Sequence, residues 1–137
     1  MESNVMSLFR EVICLFAIFL LLATSAYANS DSRIVQVWSC TLKEGKTVED
    51  LKSIHTKWKT WANNQSYGGG IEARVATPIV SANMGAVLAI DVYPTMEAYA
   101  GDVKAFYASK EGQSLLNEYN AVAVCNSNAL YSETDSE

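Results

Sequence analysis

Ile34-Val35-Gln36-Val37-Trp38-Ser39-Cys40-Thr41-Leu42 is the stretch on which the reading of this chain turns. Its β-branched and aromatic residues predict a strand, closed by the turn Lys43-Glu44-Gly45-Lys46. Side chains alternate along a regular strand, so Trp38 and Cys40 belong to one face. Cys40 also bears on the compartment. Of the chain's three cysteines, Cys14 lies in an N-terminal apolar run, leaving Cys40 and Cys125 as an even pair in the remainder.

That apolar run extends unbroken from Val12 to Ala23 and is followed by Ala26-Tyr27-Ala28. It is shorter than the roughly 20 residues a membrane-spanning helix needs. A short apolar run before an Ala-x-Ala site reads as a signal peptide over residues 1–28, cut after Ala28. Arg10 is the only basic side chain of its n-region, against Glu2 and Glu11, so an uncleaved anchor is the alternative. The expected location is secreted or periplasmic, with no stable membrane insertion after cleavage. Cys14 lacks the small-residue context of a lipoprotein signal.

The 137 residues suit one domain, here 29–137 with a core over 34–132 and an acidic tail at 133–137. Hydrophobic residues make up 50% and charged residues 18%, which excludes general disorder. The net charge is −5; residues 1–28 hold one basic and two acidic side chains, so the rest carries −4. With no basic run, nucleic acid and anionic membranes are poor partners.

Thr47 is placed to cap a helix, with Asp50 three residues on resembling a capping box. Val48, Leu51, Ile54, Trp58 and Trp61 then recur at helical spacing. Asn63-Asn64 ends the helix, and Tyr67 leads into Gly68-Gly69-Gly70. A second strand is expected over Ile71–Val80, where charges and Pro78 put it at a sheet edge. Ala86–Tyr93 is nearly all apolar until Asp91, as a central strand should be. Thr95 caps a second helix with Tyr99, Val103, Phe106 and Tyr107 on its apolar face. Ser109-Lys110-Glu111-Gly112 interrupts it before a piece bearing Leu115, Leu116, Tyr119 and Val122. A last strand follows over about Val124–Ser132.

The order strand, helix, strand, strand, helix, strand predicts an α+β, ferredoxin-like fold. Four antiparallel strands would form one sheet, first and third central, with both helices on one face. The order, together with Asp91-Val92-Tyr93-Pro94-Thr95-Met96-Glu97-Ala98-Tyr99, resembles the dimeric α+β barrel proteins. These include the antibiotic-biosynthesis monooxygenase, stress-responsive A/B barrel and NIPSNAP types. The resemblance implies a homodimer built around the open sheet faces. It implies activity only weakly, because this fold hosts oxygenases, cyclases, isomerases and proteins without known chemistry. Similar haem-degrading proteins use a histidine from the second helix, which here has none.

First and fourth strands are neighbours in such a sheet, so Cys40 and Cys125 come level and a disulfide is expected, closing a loop of 85 residues. A bridge of that span stabilises by about 2–4 kcal/mol. A reactive thiol has no pKa-lowering neighbour in sequence, and two buried free thiols are the remaining option. His55, the only histidine, borders the apolar face of the first helix. It is a candidate general base with Asp91 as its orienting partner. Residue type and position favour the other reading, a core-edge histidine satisfied by backbone or water.

Trp38, Trp58, Trp61, Tyr67 and Tyr93 are candidate ligand-binding residues for a small apolar or aromatic molecule. Packing in a core or dimer interface uses the same residue types. One histidine and two paired cysteines supply no ordinary zinc or haem ligand set, so no metal or cofactor is expected. Gly68-Gly69-Gly70 lacks the Lys-Ser/Thr of a phosphate loop. Asn64-Gln65-Ser66 matches a glycosylation sequon.

Two functions follow from these residues. The first is an exported binding or accessory protein with an aromatic-lined cavity. The alternative is a cofactor-independent, monooxygenase- or cyclase-like enzyme acting on a small aromatic or polyketide-like substrate.

Overall fold

The computed structural model describes residues 32–81, 83 and 85–134. The signal-peptide reading, Cys14 and the end of the acidic tail lie outside the described residues. Within them the chain runs β1 (Arg33–Leu42), α1 (Val48–Asn63), β2 (Glu72–Ala76), β3 (Ala86–Tyr93), α2 (Met96–Ala108), α3 (Lys110–Val122) and β4 (Ala123–Glu133). The strands form one antiparallel sheet in the order β2-β3-β1-β4. That is the ferredoxin-like arrangement, with β1 and β3 central.

Local chemistry accounts for where the elements begin and end. Gly45, at φ +72°, supplies the left-handed turn residue after β1. The Thr47 side chain accepts from the Asp50 N–H while the Asp50 carboxylate accepts from the Thr47 N–H, completing the capping box of α1. Asn63 ties down the loop after α1: its side-chain nitrogen donates to the Ile71 carbonyl and its oxygen accepts from the Gly69 and Ile71 N–H groups. Ser109 ends α2 and caps α3, its hydroxyl accepting from the Gly112 N–H. The second helical segment is therefore two helices joined at one extended residue.

The expected second strand, Ile71–Val80, is corrected to five residues. Its ladder stops at Ala76 opposite Leu88, two residues short of Pro78, which has no N–H to continue it.

The sheet has two unlike faces. Ile34, Cys40, Val87, Ala89 and Tyr93 share one core cluster with Leu51, Ile54, Trp58 and Ala62 of α1, Ala98 of α2 and Leu115 of α3. The ladder registers Ile34 with Tyr93, Gln36 with Asp91, Trp38 with Ala89 and Cys40 with Val87, so these residues make up the helix-facing side. The opposite side carries Val35, Val37, Leu88 and Ile90. At its end Arg33 ion-pairs with Glu72 of β2 and Glu133 of β4.

Cys40 and Cys125 are disulfide-bonded, at the point where the β1–β4 register slips by one residue. Their Cα atoms are 3.8 Å apart, closer than a regular ladder pair. Among the described residues no helix is long and apolar enough to cross a membrane.

Candidate functional site

A cavity of about 320 Å³ lies between the sheet and the helices. β1 and β3 contribute Gln36, Trp38, Asp91 and Tyr93; α1 contributes His55 and Trp58. The helices α2 and α3 close it with Tyr99, Asp102, Phe106 and Tyr119, and β4 adds Cys125 and Asn128. Aromatic rings recur around the walls. Buried polar groups are set among them at few points, as in cavities that orient a small ligand.

His55 is the centre of one polar group. It is only 3% exposed, and its ring stacks on Trp58 at a centroid distance of 5.4 Å. Nε2 lies 3.2 Å from Asp91 Oδ1 and 3.5 Å from the Ile90 carbonyl. The Asp91 contact is close but not aligned as a hydrogen bond, so its weight is electrostatic. Both neighbours can only accept, which puts the imidazole proton on Nε2. Nδ1 is then an acceptor, and the Tyr119 hydroxyl donates to it. Burial first, then the charges of Asp91 and Asp102, drive the Tyr119 pKa up, so this phenol keeps its proton. On the far side of Asp91, the Trp38 indole N–H donates to Oδ2 at 3.2 Å. Trp38, Asp91, His55 and Tyr119 thus form one chain of contacts across β1, β3, α1 and α3.

Asp102 is the centre of a second polar group. The Tyr93 hydroxyl donates to its Oδ2 at 2.9 Å. Burial pushes the Asp102 carboxyl up to about 6; the Tyr93 hydrogen bond opposes this, and the Asp91 charge adds to it. Tyr93 is itself raised, chiefly by burial and then by Asp91 and Asp102. Its ring meets Trp58 edge-on at 6.2 Å, which joins the two polar groups through one shared aromatic wall.

His55 and Asp91 are thus side by side, with Trp38, Trp58 and Tyr93 around the same cavity. Two of the expected ligand contacts are elsewhere. Trp61 packs on Phe106 at 5.9 Å, one step further along α1, and does not line the cavity. Tyr67 lies against Gly101 of α2, where a Cβ would come within 2.6 Å of its ring. Its hydroxyl is raised to about 12 by burial and then by Asp102.

Residue-type reasoning missed Tyr119 and Asp102. Tyr119 follows Leu115 by four residues, which marks it as inward-facing but not as polar-partnered. Asp102 carried a readable signal: an acid three residues after Tyr99 and four before Phe106 is an acid on the apolar face of a helix. Among the described residues, no group of three or more His, Cys, Asp or Glu stands close enough to hold a metal ion.

No protein-family model and no curated protein matches the chain. Solved structures do. SnoaB, a cofactor-independent oxygenase from Streptomyces nogalater, is similar with a TM-score of 0.52 at 11% identity, over 77% of this chain and 96% of SnoaB. A conserved Bacteroides thetaiotaomicron protein of unknown function, described as a possible oxidoreductase, has a TM-score of 0.52 at 8% identity, over 76% of this chain and 100% of its own. An Arabidopsis thaliana protein has 0.50 at 10%, over 77% and 96%. At these identities the likeness shows the fold, which is the one the β-α-β-β-α-β order implied.

Proposed function

We propose that this protein is a cofactor-independent enzyme that removes a proton from a small aromatic or polyketide-like substrate. His55 is the base and Asp91 orients it. The observation that supports this most is the placement of His55, a buried imidazole on an aromatic cavity wall with its tautomer set from one side and a phenol on the other. Residue types alone rank a binding or accessory role first. The buried relay reverses that order, because a cavity that only binds has no need of a base held in one tautomer.

In this reading an acidic O–H or C–H of the substrate gives its proton to the Tyr119 oxygen while the Tyr119 proton moves to His55 Nδ1. The imidazolium that forms faces Asp91, and the substrate is left as a phenolate or carbanion. General acid–base steps of this kind contribute about 10²–10⁴-fold. The electron-rich anion can then react with dioxygen. For an activated methylene the balance is one dioxygen consumed, one carbonyl formed and one water released. In a cyclase the same carbanion would attack a carbonyl of its own substrate. The likeness to SnoaB supports the oxygenase branch.

Oxygen uptake with an anthrone-type tricyclic phenol, in protein freed of metal by EDTA, tests the reading. Uptake is expected, and His55→Ala should abolish it with the circular-dichroism spectrum unchanged. Tight binding of the phenol with no uptake would return the protein to the binding class.

Export and self-association belong to the same proposal. The disulfide and the Ala26-Tyr27-Ala28 site support work in an oxidising compartment. The aliphatic face of Val35, Val37, Leu88 and Ile90 supports a homodimer. A native mass measurement on protein from its own compartment reads cleavage after Ala28, the disulfide, the dimer and any retained small molecule together.

A further inference from the structure

Two carboxylates share one cavity. Asp91 and Asp102 both line it, at 5% and 4% exposure, and no lysine or arginine is among the lining residues. His55 is the only basic group there, and its Nδ1 is already occupied by a phenol. Asp91 Oδ2 accepts from Trp38, and its Oδ1, also without a hydrogen bond, has the His55 ring nitrogen at 3.2 Å. Asp102 has no such basic neighbour among the described residues. Its Oδ2 accepts from Tyr93, but Oδ1 is buried without a hydrogen-bond partner. The Tyr67 hydroxyl and the Trp58 indole N–H are both near enough to favour the Asp102 carboxylate, yet neither reaches Oδ1 with the geometry of an ordinary hydrogen bond. A buried carboxylate oxygen without a donor is costly, and a bound ligand that supplies one relieves that cost.

We infer that Asp102 is a specificity-determining residue, whose free oxygen accepts a hydrogen bond from a hydroxyl on the ligand and makes the cavity reject anionic ligands. This rests on the reading of the cavity as a ligand site and adds to it the ligand's second polar point. An acceptor of proton-donating groups at Asp102 and a relay at Tyr119–His55 together select an uncharged aromatic with two hydroxyl groups. Carboxylates, phosphates and sulfates meet two like charges there, with no cation in the cavity lining to offset them. The raised carboxyl fits this environment: above a pH of about 6 it is ionised and accepts only.

Trp38 and Trp58 line the cavity, so their fluorescence reports occupancy. The probes are 1-naphthol, 1,5-dihydroxynaphthalene and 1-naphthoate, titrated at pH 8 into the protein and into Asp102→Asn. In the protein itself the diol should bind about tenfold tighter than the mono-ol, and the naphthoate at least about tenfold weaker, as a charge-assisted hydrogen bond and a like-charge contact imply. Asp102→Asn should bring the two phenols within about twofold and improve naphthoate binding about tenfold. Asp102→Ser serves if the amide does not fold, with the same expected direction. Ratios that stay the same in the variants would overturn the role of Asp102 while leaving the cavity a ligand site. Failure of all three probes to bind would overturn the cavity reading and this inference with it.

Discussion

The two faces of the sheet are built from the same strands and could hardly differ more in chemistry. On the helix-facing side, β1 and β3 present Gln36, Trp38, Asp91 and Tyr93, each held by a partner or set against the cavity. One residue out of step, the same strands present Val35, Val37, Leu88 and Ile90, flanked by Arg33 at one end and by Arg74 of β2 beside Ile90. A period of two lets one strand serve two purposes without compromise. Polar groups on the first face are affordable because they satisfy one another in part, Trp38 donating to Asp91 and Tyr93 to Asp102. On the second face the ion pairs of Glu72 with Arg33 and Arg74, and of Arg33 with Glu133, border an aliphatic patch that gains by being covered.

If that division holds, damage to either face should leave the other intact. The largest separable effect is expected from Val37→Asp, which puts a charge between Ile90 and Ala129 on the open face. Light scattering at micromolar concentration should show the dimer replaced by monomer, a shift of more than about 100-fold in association given the cost of burying an unpaired charge. Phenol binding in the cavity should persist. A monomer in the unaltered protein under the same conditions would remove the assembly claim.

The disulfide belongs to the helix-facing side and should act on that side alone. Replacing both cysteines, Cys40→Ser with Cys125→Ser, should lower unfolding stability by about 2–4 kcal/mol. Denaturant titration measures this, and the dimer should survive in the folded protein.

Asp102 gives a smaller effect with a defined sign. Its folded pKa of about 6 is above the unfolded value, so its protonated form favours folding. That contribution is fully present below about pH 4 and is lost as pH rises through about 6. Asp102→Asn keeps an acceptor for Tyr93 and removes the charge. It should gain on the order of 2 kcal/mol at pH 7.5 and nothing near pH 3.5, which thermal melts across that range will resolve. Equal gains at both pH values would deny the burial account.

The smallest effect lies outside both faces. Thr47→Ala removes the α1 cap and should cost about 1 kcal/mol in stability, with dimer and cavity unaffected.

Most of the fold could be read from residues whose meaning is local. Thr47 and Asp50 announced a helix start, and the apolar run Ala86–Tyr93 announced a central strand. Cys40 and Cys125 became neighbours once the strand order was deduced. The second strand was overdrawn because alternation continues past Ala76 while pairing does not.

The candidate site was legible only in part. His55 and Asp91 stood out by type, as the lone histidine and the lone acid in a central strand. Their partner Tyr119 comes from α3, 64 residues away from His55, and its spacing identified it only as an inward residue. Asp102 was overlooked although its helical position was inconsistent with a solvated face. Trp61 and Tyr67 were singled out by aromatic type alone, and their rings pack against Phe106 and Gly101.

The central claim is that His55 and its neighbours move a proton. It is tested most directly without oxygen, by following deuterium exchange at the activated methylene of an anthrone-type phenol by NMR in anaerobic buffer. The account predicts exchange catalysed by the protein and slowed by at least about 100-fold in His55→Ala, with Tyr119→Phe also slowed. Equal exchange in the protein and in His55→Ala would contradict it.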